Sequence, residues 1–124
     1  MGERGETAAA KWLAAQGIEL LARNIRRGRD EADLVCKDPS CNLMIIVEVK
    51  TRSHAQAWPE ARVDAAKAAA LLRVARAALL ETPRCSGVRI DVLSVNLPTH
   101  GDAAFHWFKD AIPVPLAWLQ SRGR

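Results

Sequence analysis

Residues 45–52 read IIVEVKTR, an aliphatic run that carries a glutamate, a lysine and an arginine. In an extended strand, residues two apart share a face. Glu48 and Lys50 therefore stand side by side, while Val47 and Val49 face the other way. Charge in so apolar a strand is costly unless it is paired or meets a metal. Glu31 and Asp33 lie two apart at the start of the preceding strand, and fourteen residues separate Asp33 from Glu48. Carboxylates brought together repel one another unless a cation sits among them. A small set of oxygen ligands suits Mg²⁺ or Mn²⁺, which keep several waters and bind phosphate. A neighbouring lysine can orient or deprotonate a water, or stabilise charge growing on a phosphorane. Acids, lysine and a basic rim together are the chemistry of metal-assisted phosphodiester hydrolysis. The other reading of Glu48 and Lys50 is a structural ion pair at a strand end.

For that chemistry, several elements must bring these residues together. Residues 3–16 are alanine-rich and helix-favouring, with Gly17 as a natural stop. On that helix Glu6 shares a stripe with Ala9, Ala10 and Leu13, so an acid stands where the pattern wants an apolar residue. Strands are expected at 18–26, 32–37 and 43–52, with GRDE and DPSCN as turns. Three strands in succession predict an antiparallel meander, whose second hairpin carries Asp33 towards Glu48. A helix is expected over 60–80, with Pro59 near its first turn. Strands follow at 88–95 and 103–108, and PLAWLQ reads as a short terminal helix or an arm. The order α-β-β-β-α-β-β predicts an α/β class, one domain with a central mixed sheet flanked by helices.

The 124 residues suffice for one domain with its own core. Charged residues break every apolar stretch, so no segment is expected to span a bilayer. The opening MGERGETAAAKW has no signal-peptide core, and a cytoplasmic protein is expected. Cys36, Cys41 and Cys85 form no CxxC pair and have no neighbouring histidine, so neither zinc nor a disulfide is expected. Net charge is +4, and arginine outnumbers lysine by 13 to 5. Arginine's fork suits phosphate, and Arg23, Arg26, Arg27 and Arg29 crowd together just before DEAD. They read either as a nucleic-acid surface or as a solvated strand edge and turn.

The ordered series GERGETAAAKWL, LLARNIR, EADLV, IIVEVKTR, PEARVDAAKAAALLRVA and VRIDVLSV resembles the bacterial YraN family, also called UPF0102, over residues 2–112. That family resembles archaeal Holliday junction resolvases and belongs to the PD-(D/E)xK nuclease superfamily. The resemblance implies a restriction-endonuclease-like core over residues 1–112, with 113–124 as a tail or short helix. It makes Asp33 and Glu48 metal ligands, with the Val49 carbonyl completing the shell. It makes Lys50 the catalytic lysine and Glu6 the helix acid. Lys67 stands where the family also favours lysine, to reach phosphate or simply to pair with Asp64 three residues earlier. One departure is the turn Gly28-Arg29-Asp30-Glu31, where the family usually places two glycines ahead of Glu-x-Asp.

The function expected is a metal-dependent endonuclease acting on DNA, branched or single-stranded, with Mg²⁺ or Mn²⁺. Arg23, Arg26, Arg27, Arg52 and Lys67 are the expected phosphate contacts. Resolvase-like folds often act as dimers, so a homodimer is an expectation by analogy. The alternative is a nucleic-acid-binding module that keeps the fold and cleaves nothing. A third reading is an interaction protein whose acids form salt bridges. His54 and Trp58 follow the third strand, where a base could stack. Arg89 and Asp91 read as a structural pair, and Trp107 and Trp118 as cover for the core or a dimer partner. His100 and His106 receive no role.

Overall fold

The computed structural model describes residues 2–53 and 59–120, so His54 and Trp58 lie outside the described residues. The alanine-rich start forms α1 (Gly2–Ala15). Its end is a Schellman-type turn: Gly17 takes φ 87°, and the N–H groups of Gly17 and Ile18 return to the carbonyls of Ala14 and Leu13, at 3.0 Å each. Ile18 thereby packs with Leu13 and Ala9 in one core cluster.

Three antiparallel strands follow: β1 (Glu19–Arg27), β2 (Asp30–Asp38) and β3 (Leu43–Arg52). The helix α2 (Ala65–Glu81) crosses back, so that β4 (Gly87–Asn96) lies parallel to β3. Antiparallel to β4 runs β5 (Ala104–Phe108), and α3 (Leu116–Gln120) follows it. The sheet order is β1-β2-β3-β4-β5. This is the α/β class expected, a mixed sheet with helices on both faces. Among the described residues, no helix is long and apolar enough to cross a membrane.

β3 divides the core between the two helices. Met44 and Ile46 join Leu71, Val74, Ala75 and Leu79 of α2. Ile45 and Val47 join Ala9 and Leu13 of α1. Strand alternation then carries Glu48 and Lys50 along the α2 face. Ile112 is buried in the α2 core, and Val114 and Trp118 pack against it, so part of the tail covers core. Asp91 is fully buried and answers Arg89 with both carboxylate oxygens at 2.8 Å, while also accepting from Trp107 Nε1 and the Asp110 N–H. The cysteines are free, and burial, aided by the nearby Asp91 charge, pushes the Cys36 thiol up to about 12.

Two boundaries differ from expectation. The helix expected from residue 60 begins at Ala65, because Asp64 caps it, accepting the Lys67 N–H at 2.7 Å. Pro59 therefore lies outside the helix. The supposed turn GRDE shrinks to Gly28-Arg29, and Asp30 and Glu31 already pair with Arg27 and Arg26 in the β1–β2 ladder. A further irregularity bears on the site. Ala32 and Val35, three residues apart, both face the α2 core, whereas Leu34 faces α1. The alternation breaks opposite Asn24, which takes φ 51°, a conformation asparagine tolerates better than most residues. Asp33 sits at that break.

The N-terminus of α1 is held against β3 by a close approach. A Cβ at Gly5 would meet Thr51 Oγ1 at 1.9 Å and Thr51 Cβ at 2.9 Å. Gly5→Ala is thus expected to cost about 1–3 kcal/mol by overpacking, visible as a lowered melting temperature. The same change in a Thr51→Ala background should cost distinctly less; equal costs in the two backgrounds would refute the contact.

Candidate active site

The β2–β3 ladder runs from Asp38↔Leu43 to Leu34↔Val47, and the next residues in register are Asp33 and Glu48. There a side chain replaces the backbone partner, as Asp33 Oδ2 accepts the Val49 N–H at 2.8 Å. The two carboxyl groups face one another closely enough to share a hydrogen bond, which requires a proton on one of them. Burial, followed by the Asp33 charge and that hydrogen bond, pushes Glu48 up to about 8, against a weaker opposing pull from Lys67. Glu48 Oε1 is buried with no hydrogen-bond partner. The Lys67 ammonium lies 3.7 Å from it, an ion-pair contact beyond hydrogen-bonding reach.

Glu6 approaches from the α1 side. Burial raises its carboxyl first and the Asp33 charge second, while Arg23, 3.7 Å from Oε1, pulls the other way. Glu6 thus lies within the field of Asp33 but has its own cation. Among the described residues, no three His, Cys, Asp or Glu side chains converge as metal ligands. The structure brings together a pair of acids, Asp33 and Glu48, with Glu6 beside Asp33.

Lys50 lies next to the pair, its ammonium 3.7 Å from Glu60 Oε1. That oxygen also accepts from Arg52 at 2.7 Å. Sequence reasoning missed Glu60, because only folding of the segment ahead of α2 returns it to β3. The expected pairing of Lys67 with Asp64 takes another form. The Asp64 carboxylate takes the Lys67 backbone N–H as a helix cap, while the ammonium donates to the Glu31 carbonyl at 3.0 Å. A visible signal existed: DAAK places the lysine at the third position after a good N-cap.

The arginines expected at phosphate all hold acids in this structure. Arg23 meets Glu6, Arg26 meets Glu31 at 3.6 Å, and Arg27 grips both oxygens of Glu81 at 2.6 and 3.0 Å. Arg52 meets Glu60. The Arg26–Glu31, Arg27–Glu81 and Arg52–Glu60 pairs are solvent-exposed and weak, so exchanging their carboxylates for a phosphate costs little, whereas Arg23 is held by a buried Glu6. Arg26, 74% exposed at its side chain, is the freest of the four. Glu31 keeps an exposed side chain and contributes its backbone carbonyl instead.

Fold and site together define an α/β domain with paired acids and a lysine where its two central antiparallel strands part. Residues 5–95 match the family described as "Uncharacterised protein family UPF0102", and the chain belongs to that family. A UPF0102 protein of Frankia casuarinae is 43% identical over 103 residues, spanning 82% of this chain and 86% of that protein. Two solved structures are loosely similar. The SPO1766 protein of unknown function from Silicibacter pomeroyi is 12% identical with a TM-score of 0.42, over 98% of this chain and 80% of that one. Pyrococcus furiosus SfsA in complex with Ca²⁺ is 14% identical with a TM-score of 0.37, over 87% of this chain and 62% of that one.

The acid pair sets a pH dependence for stability without metal. Glu48 binds its proton more tightly folded than unfolded, so the folded state holds the extra proton between the ordinary value of 4.5 and about 8. The stability this contributes is complete below the lower value and is lost as pH rises through the upper one. Melting in EDTA should therefore fall from pH 5 to pH 8.5, and Glu48→Gln should flatten that slope. A wild-type slope retained in Glu48→Gln would contradict the assignment.

Proposed function

We propose that the protein is a divalent-metal-dependent endonuclease that hydrolyses DNA phosphodiester bonds at the Asp33–Glu48 pair. The observation that carries this reading is the buried Glu48 Oε1, left without a hydrogen-bond partner opposite a second carboxylate. Two such groups at a strand end are costly unless a cation is shared between them. The donor set fits Mg²⁺ or Mn²⁺, which bind through one or two carboxylates and keep positions for water and phosphate oxygens. The Val49 carbonyl adds a third oxygen of the same hard type. Held there, such an ion supplies charge neutralisation and Lewis-acid polarisation of the phosphodiester.

The remaining steps belong to the chain. Asp33 is positioned through the Val49 N–H, and Glu48 through its place on β3. Lys50 orients the attacking water and stays beside the phosphorane as its charge grows. The water oxygen bonds to phosphorus as its proton passes to solvent, and the bond to the leaving oxygen breaks, that oxygen taking a proton from solvent. Glu6, on the far side of Asp33, orients the water or its neighbours. Lys50 and Arg52 exchange Glu60 for substrate phosphate, and Arg23, Arg26, Arg27 and Lys67 neutralise adjacent phosphates. A second reading, a DNA-binding module without cleavage, draws on Lys67, whose ammonium already offsets Glu48 in the absence of metal.

Labelled single-stranded, duplex, flap and four-way-junction DNA, incubated with Mg²⁺, Mn²⁺ or EDTA, separates these readings. Cleavage should require metal, vanish in Asp33→Asn and fall at least about 100-fold in Lys50→Ala. Binding that is unaffected by Lys50→Ala, with no cleavage in either metal, would establish the non-catalytic module instead.

A further inference from the structure

While the cations expected at phosphate hold acids, two others on α1 are unengaged. Among the described residues, neither Arg4 nor Lys11 meets a carboxylate, and both are exposed. They stand seven residues apart, so on one side of the helix and about 10 Å from each other along its axis. Ala8 lies between them and leaves the space above it open. Two adjoining clefts follow this side of the helix. The first, of about 510 Å³, is lined by Glu3, Arg4, Thr7, Ala8, Lys11 and Leu97. The second, of about 320 Å³, shares Ala8 and Lys11 and ends on Trp12 and Phe105. Those two rings are stacked, with centroids 5.2 Å apart and planes 12° from parallel, and Trp107 meets Trp12 edge-on at 5.8 Å. At its other end Leu97, which lines the first cleft, donates its N–H to the Arg52 carbonyl at the end of β3, at 2.6 Å.

We propose that this groove binds unpaired DNA, with backbone phosphates on Arg4 and Lys11 and bases lying against the Trp12–Phe105 wall. The inference deepens the proposed function, on which it rests for the path of the strand towards the acid pair. The physical argument is the combination of features. Spaced cations above an aromatic and aliphatic floor track a phosphate backbone while offering π-faces to bases. A duplex keeps its bases stacked inside and cannot use the rings. A second copy of this chain docked by two-fold symmetry would bring Arg4 and Lys11 close to their own counterparts.

The test is binding of a labelled oligo-dT strand and of a duplex of equal length, in EDTA so that nothing is cut. It compares wild type with Arg4→Gln/Lys11→Gln, both checked by thermal melt. The single strand should bind more tightly than the duplex, and the double variant should weaken it about tenfold and lower the salt slope by about 1.4. Photocrosslinks from a halogenated thymine should map to Trp12 or Phe105. Unchanged affinity in the double variant, equal affinity for duplex, or no binding by wild type would overturn the proposal. So would a loss of self-association in that variant with DNA binding intact, which would assign the groove to a second copy. Metal-dependent cleavage with an inert groove sinks this inference alone. Groove-dependent binding without cleavage in Mg²⁺ or Mn²⁺ sinks the nuclease reading alone.

Discussion

Two carboxyl groups face each other where β2 and β3 part, and the proposed chemistry depends on their being held together there. In water such a pair would separate. Here Asp33 is tied to the Val49 N–H and Glu48 is fixed by a strand buried on both faces. Neither can retreat, so the conflict is relieved by a proton, by Lys67 or by a divalent ion. Burial first and the Asp33 charge second raise the Glu48 carboxyl so that it holds a proton, and Lys67, 3.7 Å away, offsets this only in part. The proposed divalent ion would relieve the same conflict by sitting between the two carboxylates.

The surrounding elements follow from holding that pair in place. α1 comes close enough to β3 to bring Glu6 and Arg23 alongside, which requires Gly5 to present no side chain to Thr51. α2 begins only after Asp64, and Lys67 in its first turn reaches the Glu31 carbonyl on β2 and Glu48 on β3. Glu60, just before that start, keeps Lys50 and Arg52 near the site by weak pairing. The fold thus surrounds one acid pair with cations that are engaged but exchangeable.

Much of this was legible in the amino-acid order. IIVEVKTR can only be a central strand with its charges at one end, and the short DPSCN turn puts Asp33 across from Glu48. The meander and the mixed sheet follow from the order of the elements, and the elements themselves from periodicity of two or 3.6. What escaped depends on tertiary placement. Asn24 breaks the β1–β2 alternation through a left-handed conformation that composition does not reveal. The start of α2 was misplaced because alanine-rich sequence favours helix without marking its first residue, while Pro59 gave a competing signal. That shift hid the position of Lys67. The arginine cluster was legible as charge but not as a set of acid partners, since Glu81 and Glu6 lie far along the chain from Arg27 and Arg23.

The most direct test of the acid pair is a Mn²⁺ titration of the metal-free protein, followed by calorimetry or by the loss of the free-ion electron paramagnetic resonance signal. Saturable binding is expected in wild type and in Glu6→Gln, and it should be lost in both Asp33→Asn and Glu48→Gln, each confirmed folded. Binding that survives Asp33→Asn and Glu48→Gln, or is absent from wild type, would contradict the central claim.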